Sequence, residues 1–383
     1  MILAGTRPEC LKLVSLVYET RARLGKRVVL VSSGQHPRMV RNTFAPWGLS
    51  PDAELPSFAG AGSLSAHVRW MRDQIRAACT RFEIGSVVVQ GDTSSAYSGA
   101  LAAHAAGLTL IHIEAGLRTA DPMRPFPEEV FRRRIGRLAD WHFAPTACAA
   151  DNLLAEHVPA ERIQQTGNTG IDALRLVLEI AQQDAAICWR ESFDQLLVLT
   201  LHRRENYGPR LEQICLGVLD LLAHNPTMGV VCPLHPNPAV GARVRRTLSG
   251  HPRVLLTEPL DYRQFIRLLK DARLVVTDSG GIQEEAPYLG VAVVVARENT
   301  ERPEAVVAGY THLVAAERGA VLLACEALLT EPRPLPLAFD QHAPFGDGRA
   351  GERIAQWLSA WLKCPHSEAP MRSPASPIGA LET

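Results

Sequence analysis

Carboxylates stand at three places where an apolar run gives out. Asp92 follows Ser86-Val-Val-Val-Gln90, Glu114 follows Leu108-Thr-Leu-Ile-His-Ile113, and Glu128 and Glu129 lie in the loop Arg124-Pro-Phe-Pro-Glu-Glu129. Carboxyl groups gathered at one sheet edge push one another's pKa values apart, which supplies an acid and a base in the same pocket. Any one of them alone is more often an ordinary turn or helix-start acid. Cations occupy matching positions. Arg7 and Lys12 flank the first strand-to-helix junction, and a spacing of about 1.4 helical turns lets both long side chains reach one anion at the helix start. His202-Arg-Arg-Glu-Asn206 follows the run ending at Thr200 and offers a proton donor and two guanidinium forks. His235 sits at the next strand end, where a lone histidine more often packs or hydrogen-bonds. Arg302, beyond the run ending at Val295, is either a phosphate contact or a solvated charge.

Leu274-Val-Val-Thr-Asp-Ser-Gly-Gly-Ile-Gln-Glu-Glu-Ala286 is the most specific single segment. A β-branched run stops at a glycine-containing turn and a helix begins. Ser279 is expected to cap that helix, while Gly280 and Gly281 let backbone N–H groups approach an oxyanion with no Cβ in the way. Glu284 and Glu285 lie about one turn further in, where a carboxylate can accept from two ribose hydroxyls. This reads as a nucleotide-diphosphate cradle. The plainer alternative is a strand-to-helix turn with acids complementing the helix dipole.

These residues need elements to position them. Arg27–Ser32, Ser86–Gln90, Leu108–Ile113, Leu196–Thr200, Gly229–Cys232, Val254–Thr257, Leu274–Thr277 and Val291–Val295 are short apolar runs. They have the character of parallel strands buried on both faces. Helical stretches such as Leu64–Arg81, Pro209–His224 and Tyr262–Ala272 separate them. The fold class expected is therefore α/β, with two Rossmann-like doubly wound domains facing a central cleft at their strands' C-terminal edges. The series breaks once, between Gly167 and Gln195, which puts a domain boundary near residues 168–185: an N-terminal domain over 1–170 and a C-terminal one over 171–349. An amphipathic helix near 350–363 is expected to pack back on the first domain, and the Pro/Ser/Ala-rich stretch 364–383 to be disordered.

At 383 residues the chain exceeds one ordinary core. Forty Lys+Arg balance forty Asp+Glu, so nothing points to a nucleic-acid or membrane surface, and a small molecule or a second copy is the expected partner. Eight cysteines form no CxxC pair or Cys/His cluster, which argues against a disulfide framework and a structural zinc site and fits a reducing cytoplasm. No run reaches a membrane span and no signal-peptide pattern opens the chain, so a soluble, unprocessed protein is expected. No metal site is visible.

Eight motifs occur in order: Gly5-Thr-Arg-Pro-Glu9, Gln90-Gly-Asp-Thr93, His112-Ile-Glu-Ala-Gly-Leu-Arg-Thr119, Pro125-Phe-Pro-Glu-Glu129, Thr166-Gly-Asn168, His202-Arg-Arg-Glu-Asn206, Asp278-Ser-Gly-Gly-Ile-Gln-Glu-Glu-Ala-Pro287 and Thr300-Glu-Arg-Pro-Glu304. In this order and spacing the chain resembles the non-hydrolysing UDP-N-acetylglucosamine 2-epimerases up to about Trp361. The resemblance implies a GT-B-like pair of Rossmann domains, a homodimer, and interconversion of UDP-GlcNAc and UDP-ManNAc without NAD or metal. It also implies elimination of UDP to 2-acetamidoglucal and re-addition with a proton from the opposite face, because the sugar's C2 proton has no adjoining carbonyl to acidify it. By motif match Asp92, Glu114 and Glu128 are the proton-handling candidates, and His202 stabilises or protonates the leaving phosphate. Arg7, Lys12 and Arg302 grip the pyrophosphate or neighbouring groups, Ser279 with the Gly280 and Gly281 amides cradles phosphate, Glu285 holds the ribose, and Arg132 and His235 complete the substrate contacts. Which carboxyl serves which sugar face stays open.

Departures from the family pattern stand at Phe131, where asparagine is usual, and at Leu201, where glycine is usual. The first puts an apolar ring where a polar partner of the acids is expected, and would alter the orientation of Glu128 or the sugar admitted. Strand one is only about three residues long against a usual five or six. Some bacterial members bind a second UDP-GlcNAc as activator near the segment matching Gln35-His36. The rival readings are a hydrolysing relative releasing UDP and ManNAc, a glycosyltransferase of the same fold, and a nucleotide-sugar binding protein without catalysis.

Overall fold

The computed structural model describes residues 1–60, 62–121, 123–180, 193–235, 237–340 and 342–363. The expectation of a disordered stretch over 364–383 lies outside them, as does the part of the expected boundary segment beyond residue 180. Two compact units are present: one runs from Met1 to Ala173 and resumes at Gly348, and the other is Leu174–Asp347.

The first unit alternates strand and helix: β1 Ile2–Ala4, α1 Arg7–Leu24, β2 Leu30–Ser32, α2 Pro37–Phe44, β3 Ala53–Glu54, α3 Leu64–Arg81, β4 Ser86–Gln90, α4 Ser94–Ala105, β5 Thr109–Ile113, α5 Glu128–Leu138, β6 Trp141–Ala144, α6 Ala147–Ala155 and β7 Ile163–Gln165, and the unit ends within α7 Thr169–Ile180. Its seven strands are parallel, in the order β3-β2-β1-β4-β5-β6-β7. Val87, Val89 and Leu110 are fully buried in these strands, as strands covered on both faces must be. The second unit continues with β8 Gln195–Thr200, α8 Pro209–His224, β9 Met228–Pro233, α9 Pro238–Leu248, β10 Val254–Thr257, α10 Tyr262–Asp271, β11 Leu274–Thr277, α11 Gly280–Leu289, β12 Ala292–Ala296, α12 Pro303–Val307, β13 Thr311–Val314 and α13 Arg318–Thr330. Its six parallel strands follow the order β10-β9-β8-β11-β12-β13.

Both sheets are doubly wound, and the direction of winding reverses between β1 and β4 in the first and between β8 and β11 in the second. Loops leaving the C-terminal ends of strands diverge at such a reversal, which opens space for a ligand there. The last helix, α14 Ala350–Trp361, belongs to the first unit and packs on α1. Its start is capped from afar: the buried Asp172 carboxylate accepts from the Ala350 N–H at 3.0 Å, the Gly351 N–H at 2.7 Å and the Ser15 hydroxyl at 2.8 Å. That answers orphan donors at a helix start and suits the dipole.

The expected apolar runs all appear: Ser86–Gln90, Val254–Thr257 and Leu274–Thr277 match their strands, β8 and β9 are longer by a residue at one or both ends, β12 is shifted by one, and β2 and β5 start later than expected. β3, β6, β7 and β13 carry too few or too mixed residues to stand out in the sequence. Phe131 turns into the core rather than offering a partner to the acids. Its ring is 2% exposed and stacks on Tyr97 at 4.7 Å in the core of the first unit. Leu201 is likewise buried in the core of the second unit.

Candidate active site

In the first unit the candidates gather around the β1–β4 reversal. Glu114, the residue after β5, has φ 64°, a left-handed conformation that an ordinary side chain occupies only at a cost of about 1–3 kcal/mol. Its carboxylate is gripped on both oxygens, by the Lys12 ammonium and the Gln90 amide. Lys12 is itself buried in α1, so the pair is shielded from screening water. Asp92, just beyond β4, pairs with Arg132 at 2.6 Å. Arg132 also binds Glu129 at 3.0 Å, and Glu129 accepts from the Thr119 N–H at 3.2 Å. Glu129, with a fully buried side chain, is thus the scaffold acid of the loop. Glu128, one residue earlier and turned away on the helix, is half-buried and makes no ion pair among the described residues. Arg7 opens α1, and Lys12 is one to two turns further in, on a carboxylate rather than at the helix start.

A carboxyl group outside the expected set ties this edge together. Glu9 is buried in α1 and accepts from the Gly5 N–H at 3.1 Å and the Thr93 hydroxyl at 2.7 Å, linking the turn after β1 to the turn after β4. Burial raises its pKa to about 7 against the pull of those hydrogen bonds.

In the second unit Asp278 is the organising group. Buried at the end of β11, it accepts from the His202 N–H at 3.0 Å, the Arg203 N–H at 3.0 Å and the Asn206 amide at 3.0 Å, and faces His202 Nδ1 at 3.2 Å. Burial pushes the His202 pKa below the ordinary histidine value, and the Asp278 carboxylate opposes that. The His235 ring lies nearly parallel to His202 with centroids 6.0 Å apart. Its own pKa is lowered by burial, again with Asp278 opposing.

The glycine turn departs from expectation at Ser279. This residue holds the helix-cap position, but its hydroxyl makes no capping bond; the extended turn is held instead by Thr277, whose Oγ1 accepts from the Ser279 N–H at 2.9 Å. Gly280 and Gly281 also differ. A Cβ on Gly280 would lie 2.5 Å from the Arg302 guanidinium, whereas a Cβ on Gly281 would meet nothing within 4 Å. The room at Gly280 serves Arg302, and the open backbone belongs to Gly281. Arg302 is bound by Glu284 at 2.6 Å and by Glu301. Glu301 also binds Arg297 at 3.0 Å and Arg203 at 3.2 Å, and Arg297 binds Glu205 at 2.9 Å. Glu284 therefore serves Arg302, while Glu285 accepts from the Tyr262 hydroxyl at 2.7 Å.

Lys12, Arg132 and Arg302, expected as substrate contacts, are thus each held by a carboxylate of their own unit. Asp278, Asn206, Glu301, Arg297, Gln90 and Glu9 belong to these networks without having been singled out. Asp278 was findable, because it is an acid at the end of an apolar run, the same signal that marks Asp92 and Glu114. Among the described residues no three His, Cys, Asp or Glu side chains converge as a metal-binding group, and no helix is long and apolar enough to cross a membrane.

A family model described as UDP-N-acetylglucosamine 2-epimerase matches residues 19–359. The UDP-N-acetylglucosamine 2-epimerase of Salmonella typhimurium is 36% identical over 368 residues, covering 93% of this chain and 97% of that protein. The Neisseria meningitidis UDP-GlcNAc 2-epimerase crystal structure, bound to UDP-GlcNAc, superposes with a TM-score of 0.87 at 34% identity, covering 93% of this chain and 98% of the other. The Methanocaldococcus jannaschii UDP-GlcNAc 2-epimerase structure, in complex with UDP-GlcNAc and UDP, gives 0.84 at 32% identity over 94% and 99%. With its two doubly wound parallel sheets and these near-full-length matches, the chain belongs to the UDP-N-acetylglucosamine 2-epimerase family and has its GT-B-like fold.

Proposed function

We propose that this protein is a non-hydrolysing isomerase that interconverts UDP-GlcNAc and UDP-ManNAc, working without NAD or metal as a cytoplasmic homodimer. The observation that carries the reading is Glu114, held in a left-handed backbone conformation with both carboxylate oxygens engaged. Strain kept at a strand end beside a second acid, Asp92, is the mark of a group positioned for chemistry.

The chemistry balances without redox. A carboxylate removes the C2 proton as the C1–O bond to UDP breaks, leaving 2-acetamidoglucal. A proton then reaches C2 from the other face while the UDP oxygen re-forms its bond to C1. Asp92, Glu114 and Glu128 are the candidates for the two proton transfers. Lys12 on Glu114 and Arg132 on Asp92 hold these carboxylates in place for those transfers. In the second unit the open Gly281 amide and the helix start are the candidates for the phosphate, with Arg302 adding positive charge beside them, and Glu285, which accepts from the Tyr262 hydroxyl, is the candidate for the ribose. Asp278 fixes the His202 ring, and an arriving diphosphate dianion raises the histidine's pKa so that it can donate to the departing oxygen.

Incubation with UDP-GlcNAc in D₂O tests this directly. UDP-ManNAc carrying deuterium at C2 is the expected product. Free ManNAc would instead identify a hydrolysing enzyme, and an unchanged nucleotide sugar with no deuterium at C2 would leave binding alone. Light scattering is expected to give twice the chain mass of 41.8 kDa, and a monomer mass would remove the homodimer.

A further inference from the structure

The first unit has a second concavity, of about 400 Å³, at the other edge of its sheet. It lies where α5 ends before β6 and where α6 gives way to β7, at the strands' N-terminal ends, opposite the edge that carries Asp92 and Glu114. Arg133, Arg137, Arg162, His142, His157 and Glu156 supply its charged and titratable walls. Three arginines thus face one acid, and that acid is already spoken for. Glu156 is held fork to fork by Arg118, with both bonds at 2.7 Å, and by Arg133 at 3.2 Å. Hydrogen bonding from Arg118 accordingly lowers its pKa. Arg137 and Arg162 make no ion pair among the described residues.

His142 adds a second, independent sign. Its ring is 1% exposed, and its Nδ1 has no hydrogen-bond partner among the described residues. Burial depresses its pKa to about 3, the nearby His112, Arg118 and Arg162 push the same way, and a hydrogen bond to the Ala139 backbone opposes them. Buried polar atoms ordinarily find partners, and concentrated positive charge in a concavity of ligand size draws anions. We propose that this concavity is an anion site that takes a phosphate or pyrophosphate group between Arg137 and Arg162. Planar guanidiniums match phosphate oxygens two at a time, which is the geometry such a site needs.

The site is read by binding and does not depend on the activity proposed above. Pyrophosphate is titrated calorimetrically into the full chain with saturating UDP present to occupy other diphosphate sites, and without UDP if the chain proves not to bind it. The Arg137→Ser/Arg162→Ser variant is expected to bind about tenfold more weakly or worse, as follows from losing two charge-assisted contacts. Glu156→Gln, which removes the only negative wall charge, is expected to bind several-fold more tightly. This opposite sign guards against a misfolded double variant. A UDP titration distinguishes the sources: a second equivalent that disappears in the double variant identifies a nucleotide diphosphate, and its absence alongside pyrophosphate binding identifies the free anion. Equal pyrophosphate affinity in the wild type and the double variant would overturn the proposal, as would no pyrophosphate binding to the wild type together with no second equivalent of UDP.

Discussion

The two sheet edges differ in how they use charge. In the first unit Glu114 and Asp92 each face one principal cation, Glu114 sits on a strained backbone, and Glu128 makes no ion pair among the described residues. In the second unit charge is closed into a mesh: Asp278 gathers four groups, and Glu301 alone binds three arginines. A carboxylate that faces one cation can change protonation at lower cost than one inside a buried mesh, on which several charged groups depend. The first edge is therefore suited to moving protons and the second to holding a fixed field for a diphosphate.

The contrast makes its largest prediction at the acids. Asp92→Asn, Glu114→Gln and Glu128→Gln are each expected to cut turnover by about 10²-fold or more, with UDP affinity by calorimetry nearly unchanged. Parallel loss of affinity would erase the division of labour. Asp278→Ala should act on stability, since it strands several buried donors, and denaturant unfolding is expected to show a loss of about 3–5 kcal/mol. A loss under about 1 kcal/mol would show that the mesh is not structural.

Glu9 sharpens the comparison through pH. Its folded pKa of about 7 lies above the ordinary 4.5, so the folded state holds the proton more tightly. Its stabilising contribution is complete below about pH 4.5 and is lost as pH rises through 7. Glu9→Gln, a mimic of the protonated acid, is expected to gain stability over wild type by about 2–3 kcal/mol between pH 4.5 and 8. A flat difference across that window would contradict the assignment. The smallest effects concern the paired glycines. Gly281→Ala should weaken UDP binding by about tenfold while leaving stability within about 0.5 kcal/mol. Gly280→Ala, which collides with Arg302, should instead cost about 1–3 kcal/mol of stability. Exchanged outcomes would reverse the roles given to the two positions.

Legibility in the sequence followed the range of the interactions. Runs such as Leu274–Thr277 announced themselves because strands buried on both faces need continuous apolar side chains, and Leu64–Arg81 because its apolar residues recur at helical spacing. The two-residue β3 and the half-exposed β7 carried no such signal. Acids at strand ends were equally visible, yet their partners were not. Lys12 and Glu114 are 102 positions apart, and Asp278 and Asn206 are 72. Neither Phe131 nor Glu128 could be oriented from its neighbours, because adjacent helical residues point about 100° apart and only packing decides which one enters the core.

The sequence by itself determined the parallel α/β layers, the glycine turn after β11 and the set of chemistry-bearing residues at strand ends, since each depends on side-chain type within a few residues. The tertiary structure decided which carboxylate is gripped by one cation and which is locked in a mesh, that Phe131 is core, and that Gly280 makes room for Arg302. Those outcomes depend on contacts between distant segments, and the free energy of a buried charge is set by whatever the fold brings beside it.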